Sequence, residues 1–123
     1  MLLELDKLNW QPSYISGKAG IKQIKCKTRV PGLYFIKEKG ELVYIGKSAY
    51  NVKEVLYRHF QQWNPDRTSR HYRVSYEKSN KYEVAVHLFN ILEVHDAEIL
   101  NIQKYKPRDN RKLYENEIVD FPF

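Results

Sequence analysis

The chain has 123 residues, enough for one domain with a modest core. Apolar residues make up 42% and charged residues 29%, as in soluble globular domains, and no apolar run of about 18 residues predicts a transmembrane helix. Lysine and arginine number 21 against 15 acidic residues, and this net charge of +6 either favours polyanionic partners or serves solubility alone. The single cysteine and the lack of a signal-peptide pattern predict a cytoplasmic protein without membrane contact.

The ten tyrosines are more informative than the charge. Many of them are flanked by cations, as in Lys104-Tyr105-Lys106 and Arg70-His71-Tyr72-Arg73. Aromatic rings between cations suit a nucleic-acid surface, where bases stack on the rings and phosphates meet the charges. Tyrosine is also a common strand residue, so composition alone leaves both interpretations open.

The first predicted unit is an N-terminal extension, residues 1–31, packed on or beside the core and containing a short basic helix over residues 16–25. Two strands follow, over residues 32–37 and 41–46, and Glu38-Lys39-Gly40 is the loop between them. A three-residue hairpin loop commonly ends in a glycine with positive φ. This register predicts Tyr34 opposite Tyr44 and Gly32 opposite Gly46, so that two phenols lie side by side next to open space.

The rest of the chain adds a helix, two strands and a second helix. These elements are predicted over residues 51–63, 71–77, 82–89 and 90–105, and Pro65 and Pro107 mark the helix ends. The order β-β-α-β-β-α predicts an α+β domain over residues 32–110, with a small, mostly antiparallel sheet flanked by helices. Residues 111–123 form a C-terminal tail.

Glu98 is the most unusual residue of the second helix. At about 100° per residue it falls in the middle of an apolar stripe formed by Ile91, Val94, His95, Ile102 and Tyr105. A carboxylate on a core face is costly unless it is paired or binds a metal, so an ion pair and a metal site are both open interpretations. Asn110 follows twelve residues later and could fold back toward the same pocket.

The first helix has two residues that could carry chemistry. Its apolar face is predicted to contain Val52, Val55, Leu56, Phe60 and Trp63, with His59 among them. A histidine in such surroundings is more often a core residue than a catalyst. Arg58 lies at the edge of the face, where a long side chain can reach a neighbouring cleft.

Taken in order, these pieces resemble the GIY-YIG nuclease superfamily over residues 32–110. The resemblance is carried by Gly32-Leu33-Tyr34, Tyr44-Ile45-Gly46-Lys47-Ser48, Arg58-His59, Glu98 and Lys106-Pro107-x-x-Asn110. It implies an endonuclease that hydrolyses DNA phosphodiester bonds with one divalent ion, Mg²⁺ or Mn²⁺. Sequence specificity would come from the core, the first 31 residues, a homodimer or a partner protein.

The resemblance also implies site roles. Tyr34 and Tyr44 resemble the motif tyrosines, Gly32 and Gly46 would admit substrate, Glu98 would bind the metal, and Asn110 would support the site. The family's catalytic arginine usually lies ten or eleven residues beyond the second tyrosine, where this chain has Glu54 and Val55. Arg58 lies about one helical turn further on, and we assign it the role of the catalytic arginine.

Residue chemistry completes the prediction. Lys47 and Arg58 would offset the charge on the phosphate, and either Tyr34 or His59 would take the proton from water, with Tyr34 favoured because it faces the pocket. Residues predicted to bind DNA are Arg70, Arg73, Lys104, Lys106 and Arg108. Two alternatives stay open at this point: a nucleic-acid-binding module with a degenerate site, and a nuclease directed at RNA.

Overall fold

A four-stranded antiparallel sheet with a helix on each face is the framework of the domain in a computed structural model, which describes residues 2–13, 29–58, 60 and 81–110. Within these residues, neither helix is long and apolar enough to cross a membrane. The strand order is β1-β4-β2-β3, and the fold confirms the predicted α+β class. The elements are β1 (Gln11–Pro12), β2 (Gly32–Glu38), β3 (Glu41–Ser48), α1 (Val52–Arg58), β4 (Tyr82–Leu88) and α2 (Val94–Tyr105).

Strand β2 is the centre of the sheet, because it pairs with β3 on one side and with β4 on the other. Its side chains alternate between two cores. Tyr34 and Ile36 pack with α1, whereas Leu33 and Phe35 pack with α2. A strand covered on both faces must be apolar throughout, which explains why the run after Gly32 has no polar residue before position 37.

The predicted register of the β2–β3 hairpin is wrong. The loop has two residues, Lys39 and Gly40, whose φ angles of 50° and 84° are those of a type I′ turn. Tyr34 lies opposite Gly46 rather than opposite Tyr44. Gly32 lies opposite Ser48 rather than opposite Gly46.

A β-bulge in β3 offsets the effect of the shorter loop on the direction of the Tyr44 side chain. Pairing passes from Lys37 with Leu42 to Ile36 with Tyr44, so Val43 is an extra residue in β3. Without the bulge, the two-residue loop would direct Tyr34 and Tyr44 to opposite faces. With it, both tyrosines lie on the α1 face as diagonal neighbours, and their predicted adjacency on one face is confirmed.

The N-terminal segment, residues 2–13, packs against α2 and extends the sheet. Asn101 accepts a hydrogen bond of 3.0 Å from the Leu3 N–H, and the Tyr105 hydroxyl donates to the Leu3 carbonyl. Strand β1 then pairs with β4. The strand has only two residues and one of them is a proline, so the sequence pattern does not predict a strand here. The helix predicted over residues 16–25 lies outside the described residues.

An asparagine lies at or before the start of each helix: Asn51 caps α1, and Asn90 forms the turn that precedes α2. Asn51 Oδ1 accepts the Glu54 N–H at 3.3 Å, and α1 is described only to Arg58, so the predicted end at residue 63 lies outside the described residues. Asn90 Oδ1 accepts the N–H groups of Leu92 and Glu93. The two bonds accepted by Asn90 form a turn before the helix. Helix α2 therefore begins at residue 94, four residues after its predicted start at residue 90. The strand predicted over residues 71–77 also lies outside the described residues.

Replacing Lys39 by asparagine should stabilise the domain by about 0.5–1 kcal/mol. Lysine at φ 50° occupies the left-handed region, which asparagine adopts more readily. Lys39→Ala, with the same Cβ, should leave stability nearly unchanged, and Lys39→Val should lower it. Urea unfolding of the four proteins checks the order, and equal stability of the asparagine and alanine variants would contradict it.

Candidate active site

Helix α2 carries Glu98 into the interior. The buried residues of the helix recur at helical spacing and are Val94, Ala97, Glu98, Asn101 and Ile102. Glu98 is only 2% exposed, as the sequence predicted for a carboxylate on the core stripe. Two members of the predicted stripe are placed differently: His95 is exposed, and Ile91 is exposed and precedes the helix. The buried stripe therefore includes Ala97 and Asn101 in place of Ile91 and His95.

The Glu98 carboxylate has a cation near it but no hydrogen bond on one oxygen. Lys47 Nζ lies 3.8 Å from Glu98 Oε1, and within the described residues that oxygen has no hydrogen-bond partner. Burial raises the pKa of Glu98 to about 8, and the positive charge of Lys47 only partly opposes this rise. The geometry therefore holds a carboxylate that lacks sufficient counter-charge.

Lys47 has a second neighbour that the sequence analysis missed. His95 Nδ1 lies 2.5 Å from Lys47 Nζ, so His95, Lys47 and Glu98 form a contiguous group between α2 and the end of β3. The helical periodicity predicts His95 on the core stripe. The signal that could have found it is its spacing of three residues from Glu98, which puts both side chains on one flank of the helix.

Tyr34 and Tyr44 lie next to each other on the α1 face, with ring centroids 6.0 Å apart. The pKa of Tyr44 is raised well above its ordinary value by burial and by the charge of Glu98, although a hydrogen bond with Tyr34 acts in the opposite direction. Tyr44 is therefore a neutral phenol at physiological pH. The effect of Glu98 on Tyr44 also links the tyrosine pair to the carboxylate group.

The two motif glycines make room for other parts of the protein. A Cβ on Gly46 would lie 2.2 Å from the Cζ and hydroxyl oxygen of Tyr34, so the tyrosine ring occupies the space that Gly46 leaves. A Cβ on Gly32 would lie 2.8 Å from the carbonyl oxygen of His87. Both glycines are thus required by packing. Their part in substrate approach stays a prediction.

Asn110 closes the edge of β3. The Ile45 N–H donates to Asn110 Oδ1 at 2.8 Å, and Asn110 Nδ2 donates to the Ile45 carbonyl at 2.9 Å. The side chain is fully buried and pairs like a residue of a neighbouring strand. Since Ile45 lies between Tyr44 and Gly46, Asn110 fixes the motif strand. It acts by positioning, because both of its polar groups are committed to backbone.

Arg58 lies on α1 and forms an ion pair of 2.8 Å with Glu54, one turn earlier on the helix. Both side chains are about half exposed, and such surface pairs contribute little to stability. The predicted contact of Arg58 with a phosphate stays a prediction. His59, the competing base, lies outside the described residues.

The cations predicted to bind DNA have different surroundings. Lys104 and Lys106 are exposed on the last turn of α2 and at its end. Arg108 pairs with Glu38 and Asp109, which raise the pKa of its guanidinium. Glu38 is next to the hairpin loop, five residues along β2 from Leu33, the partner of Lys47, which is about 17 Å at about 3.3 Å per residue. Arg70 and Arg73 lie outside the described residues.

This chain is similar to a solved structure, the GIY-YIG N-terminal endonuclease domain of UvrC from Thermotoga maritima. That structure was solved bound to its catalytic divalent cation, magnesium. Sequence identity is 32%, the TM-score is 0.51, and the match covers 76% of this chain and 98% of that one. No protein-family model matches the sequence, and no curated protein matches it.

The fold and this similarity together define the class of the protein. The identity extends over nearly the whole of an endonuclease domain, and the chain belongs to the GIY-YIG family. This membership supports a nuclease function in general terms.

Removing Asn110 should destabilise the domain strongly. Asn110→Ala leaves a buried N–H and a buried C=O of Ile45 without partners, and we expect a loss of about 2–4 kcal/mol in unfolding free energy. Gln103→Ala, on the exposed side of α2, is the control and should change it by less than about 0.5 kcal/mol. Urea unfolding measures the unfolding free energy of both variants. An equally small loss in Asn110→Ala and Gln103→Ala would show that the edge of β3 does not need the Asn110 amide.

Stability of the metal-free protein should fall between pH 5 and pH 8. The carboxyl of Glu98 ionises near 4.5 in the unfolded chain and near 8 in the folded one, so the folded state holds the extra proton in this window. Unfolding free energy then decreases as pH rises, by a few kcal/mol, and levels off above the folded pKa. Urea unfolding with a chelator should show that Glu98→Gln flattens this slope, whereas Asp96→Asn, at an exposed site, keeps it.

Proposed function

We propose that the chain is a metal-dependent endonuclease that hydrolyses DNA phosphodiester bonds at the group formed by Tyr34, Tyr44, Lys47 and Glu98. The observation that carries the proposal is the Glu98 carboxylate, which is buried, close enough to Tyr44 for its charge to raise the pKa of that phenol, and without a hydrogen bond on one oxygen within the described residues. A structural use of this carboxylate would satisfy both oxygens. An oxygen left open in the interior suits a ligand that arrives later.

The chemistry of the donors fits one divalent cation. Within the described residues, no group of three or more His, Cys, Asp and Glu side chains could hold a metal, so Glu98 would be its protein ligand. Mg²⁺ binds oxygen, often through one or two carboxylates, and keeps several waters. When bound, the ion would supply positive charge to the phosphate oxygens. The magnesium in the similar UvrC domain supports this assignment.

The other residues would act on water and phosphate. Lys47, a largely buried cation next to Glu98, would offset charge that develops on the phosphate. Tyr34 would take the proton of the attacking water as a phenolate, after losing its own proton to solvent under the positive charge of Lys47 and the bound ion. Tyr44 is the poorer base, because the raised pKa of this phenol keeps it protonated, and it would orient Tyr34 through their hydrogen bond. Asn110 would hold the strand that carries Tyr44.

DNA is the proposed substrate, and a cytoplasmic location is part of the proposal. The net charge of +6 and the exposed Lys104 and Lys106 suit contacts with phosphates. Arg108 would contribute less, because two carboxylates already neutralise it. The same features would bind RNA. Cleavage rates on DNA and RNA of the same sequence therefore show which nucleic acid is the substrate.

One observation favours a second candidate, a binding module with a degenerate site. Arg58 does not have the family's usual spacing, and its guanidinium forms an ion pair with Glu54 on the exposed side of α1. A module of this kind would bind DNA with normal salt dependence and cut nothing. Cleavage assays therefore separate the two candidates, whereas binding assays do not.

The decisive test is plasmid cleavage with Mg²⁺, Mn²⁺ or chelator. We expect nicking with either ion and none with chelator. Glu98→Gln should lower the rate about a thousandfold, the size of a lost metal contribution of several kcal/mol, with DNA affinity nearly unchanged. Asp96→Asn, an exposed carboxylate on the same helix, should cut normally. Wild-type rates in Glu98→Gln would refute the assignment.

Arg58→Ala should lower kcat by about 10²–10³-fold with a small change in KM, since charge in the transition state would go unmet. Lys53→Ala, which removes another cation from α1, serves as the control and should leave kcat unchanged. Single-turnover cleavage of a labelled duplex measures both. A kcat of Arg58→Ala equal to that of Lys53→Ala would remove Arg58 from the site.

A further inference from the structure

The Lys47 ammonium lies between two groups of α2 and is not equidistant from them. His95 Nδ1 is 2.5 Å from Lys47 Nζ, whereas Glu98 Oε1 is 3.8 Å away. A charge-assisted N–H···O bond is about 2.7–2.9 Å long. The ammonium therefore stops about 1 Å short of hydrogen-bonding distance from the carboxylate, and its short contact is with the imidazole.

The donor and acceptor of this contact follow from the chemistry of the two groups. An ammonium can only donate, so His95 Nδ1 is the acceptor and the ring proton is on Nε2. A neutral imidazole can thus hold the cation without adding charge of its own. His95 and Glu98 are three residues apart on one helix, so their side chains have a fixed relative position. An ammonium bound to His95 therefore also has a fixed position relative to the Glu98 carboxylate.

We propose that His95 is a positioning residue that holds the Lys47 ammonium away from Glu98 Oε1 and so keeps this oxygen open to a divalent cation. The inference rests on the proposed function, in which Glu98 binds the metal. It concerns a residue outside the family motifs through which the resemblance was recognised.

The physical reason is competition between two cations for one oxygen. The lysine side chain is long and flexible, and without an acceptor at His95 it would close the remaining gap to Glu98. A divalent ion would then have to displace a hydrogen-bonded ammonium from a buried carboxylate. With His95 present, Lys47 stays near the site as a positive charge and leaves Oε1 without a hydrogen bond in the part of the chain that the structure describes.

A double-mutant cycle on Mn²⁺ affinity, measured by calorimetry without nucleic acid, tests this role. His95→Ala should weaken Mn²⁺ binding about 10-fold or more, as expected for loss of a residue that orients a metal site. His95→Asn should bind within about threefold of wild type, because its Oδ1 can accept from Lys47 as Nδ1 does. In a Lys47→Met background, His95→Ala should have no further effect.

Several outcomes would overturn the inference. Unchanged affinity in His95→Ala would show that His95 does not control access to Glu98. A loss that persists in the Lys47→Met background would make His95 a direct ligand. His87→Ala removes an exposed histidine on β4 and is the control, which should bind Mn²⁺ normally. Since His95 is also exposed, thermal unfolding should confirm that every variant is folded.

The same titration separates this inference from the proposed function. Binding that disappears in Glu98→Gln but not in His95→Ala would overturn the inference alone. Binding that survives in Glu98→Gln, or no binding by the wild type, would overturn the metal site at Glu98 and the inference with it.

Discussion

One extra residue in β3 determines which side chains meet at the site. The Lys39-Gly40 turn by itself would put Tyr34 and Tyr44 on opposite faces of the sheet. The bulge at Val43 shifts the remainder of β3 by one position, so Tyr44 joins Tyr34 on one face while Lys47 projects from the other. The tyrosine pair and the ammonium near Glu98 both depend on this shift. An edge strand can contain a bulge because only one of its sides pairs with a strand.

That open side of β3 is where the second constraint acts. Asn110 pairs with the backbone of Ile45, and Glu98 lies beside the same strand. Glu98 on α2 and Asn110, five residues beyond the end of α2, therefore determine the charge beside β3 and the position of that strand. Among the residues that the structure describes, one Glu98 oxygen has no hydrogen-bond partner, and burying it costs stability, which is characteristic of residues retained for function rather than stability.

The sequence predicted the fold class, the hairpin and the burial of Glu98 because each depends on local periodicity. It could not predict the bulge, since the count of residues fits two registers equally well and only the packing of Tyr34 over Gly46 distinguishes them. It also missed the contact of His95 with Lys47. That contact joins α2 to the end of β3, so it depends on how the helix packs against the sheet, which the periodicity of either element does not predict.

The contacts of Leu3 and Asn110 have a consequence for synthesis of the domain on the ribosome. Asn110 closes on Ile45 across 65 residues, and Leu3 meets Tyr105 across 102. Such distant pairings form late and slow folding. The N-terminal segment must therefore wait, without its hydrogen-bond partners, until α2 has left the exit tunnel. Throughout elongation the β2–β3 hairpin has an uncovered edge, which is the state most exposed to misfolding and to capture by chaperones.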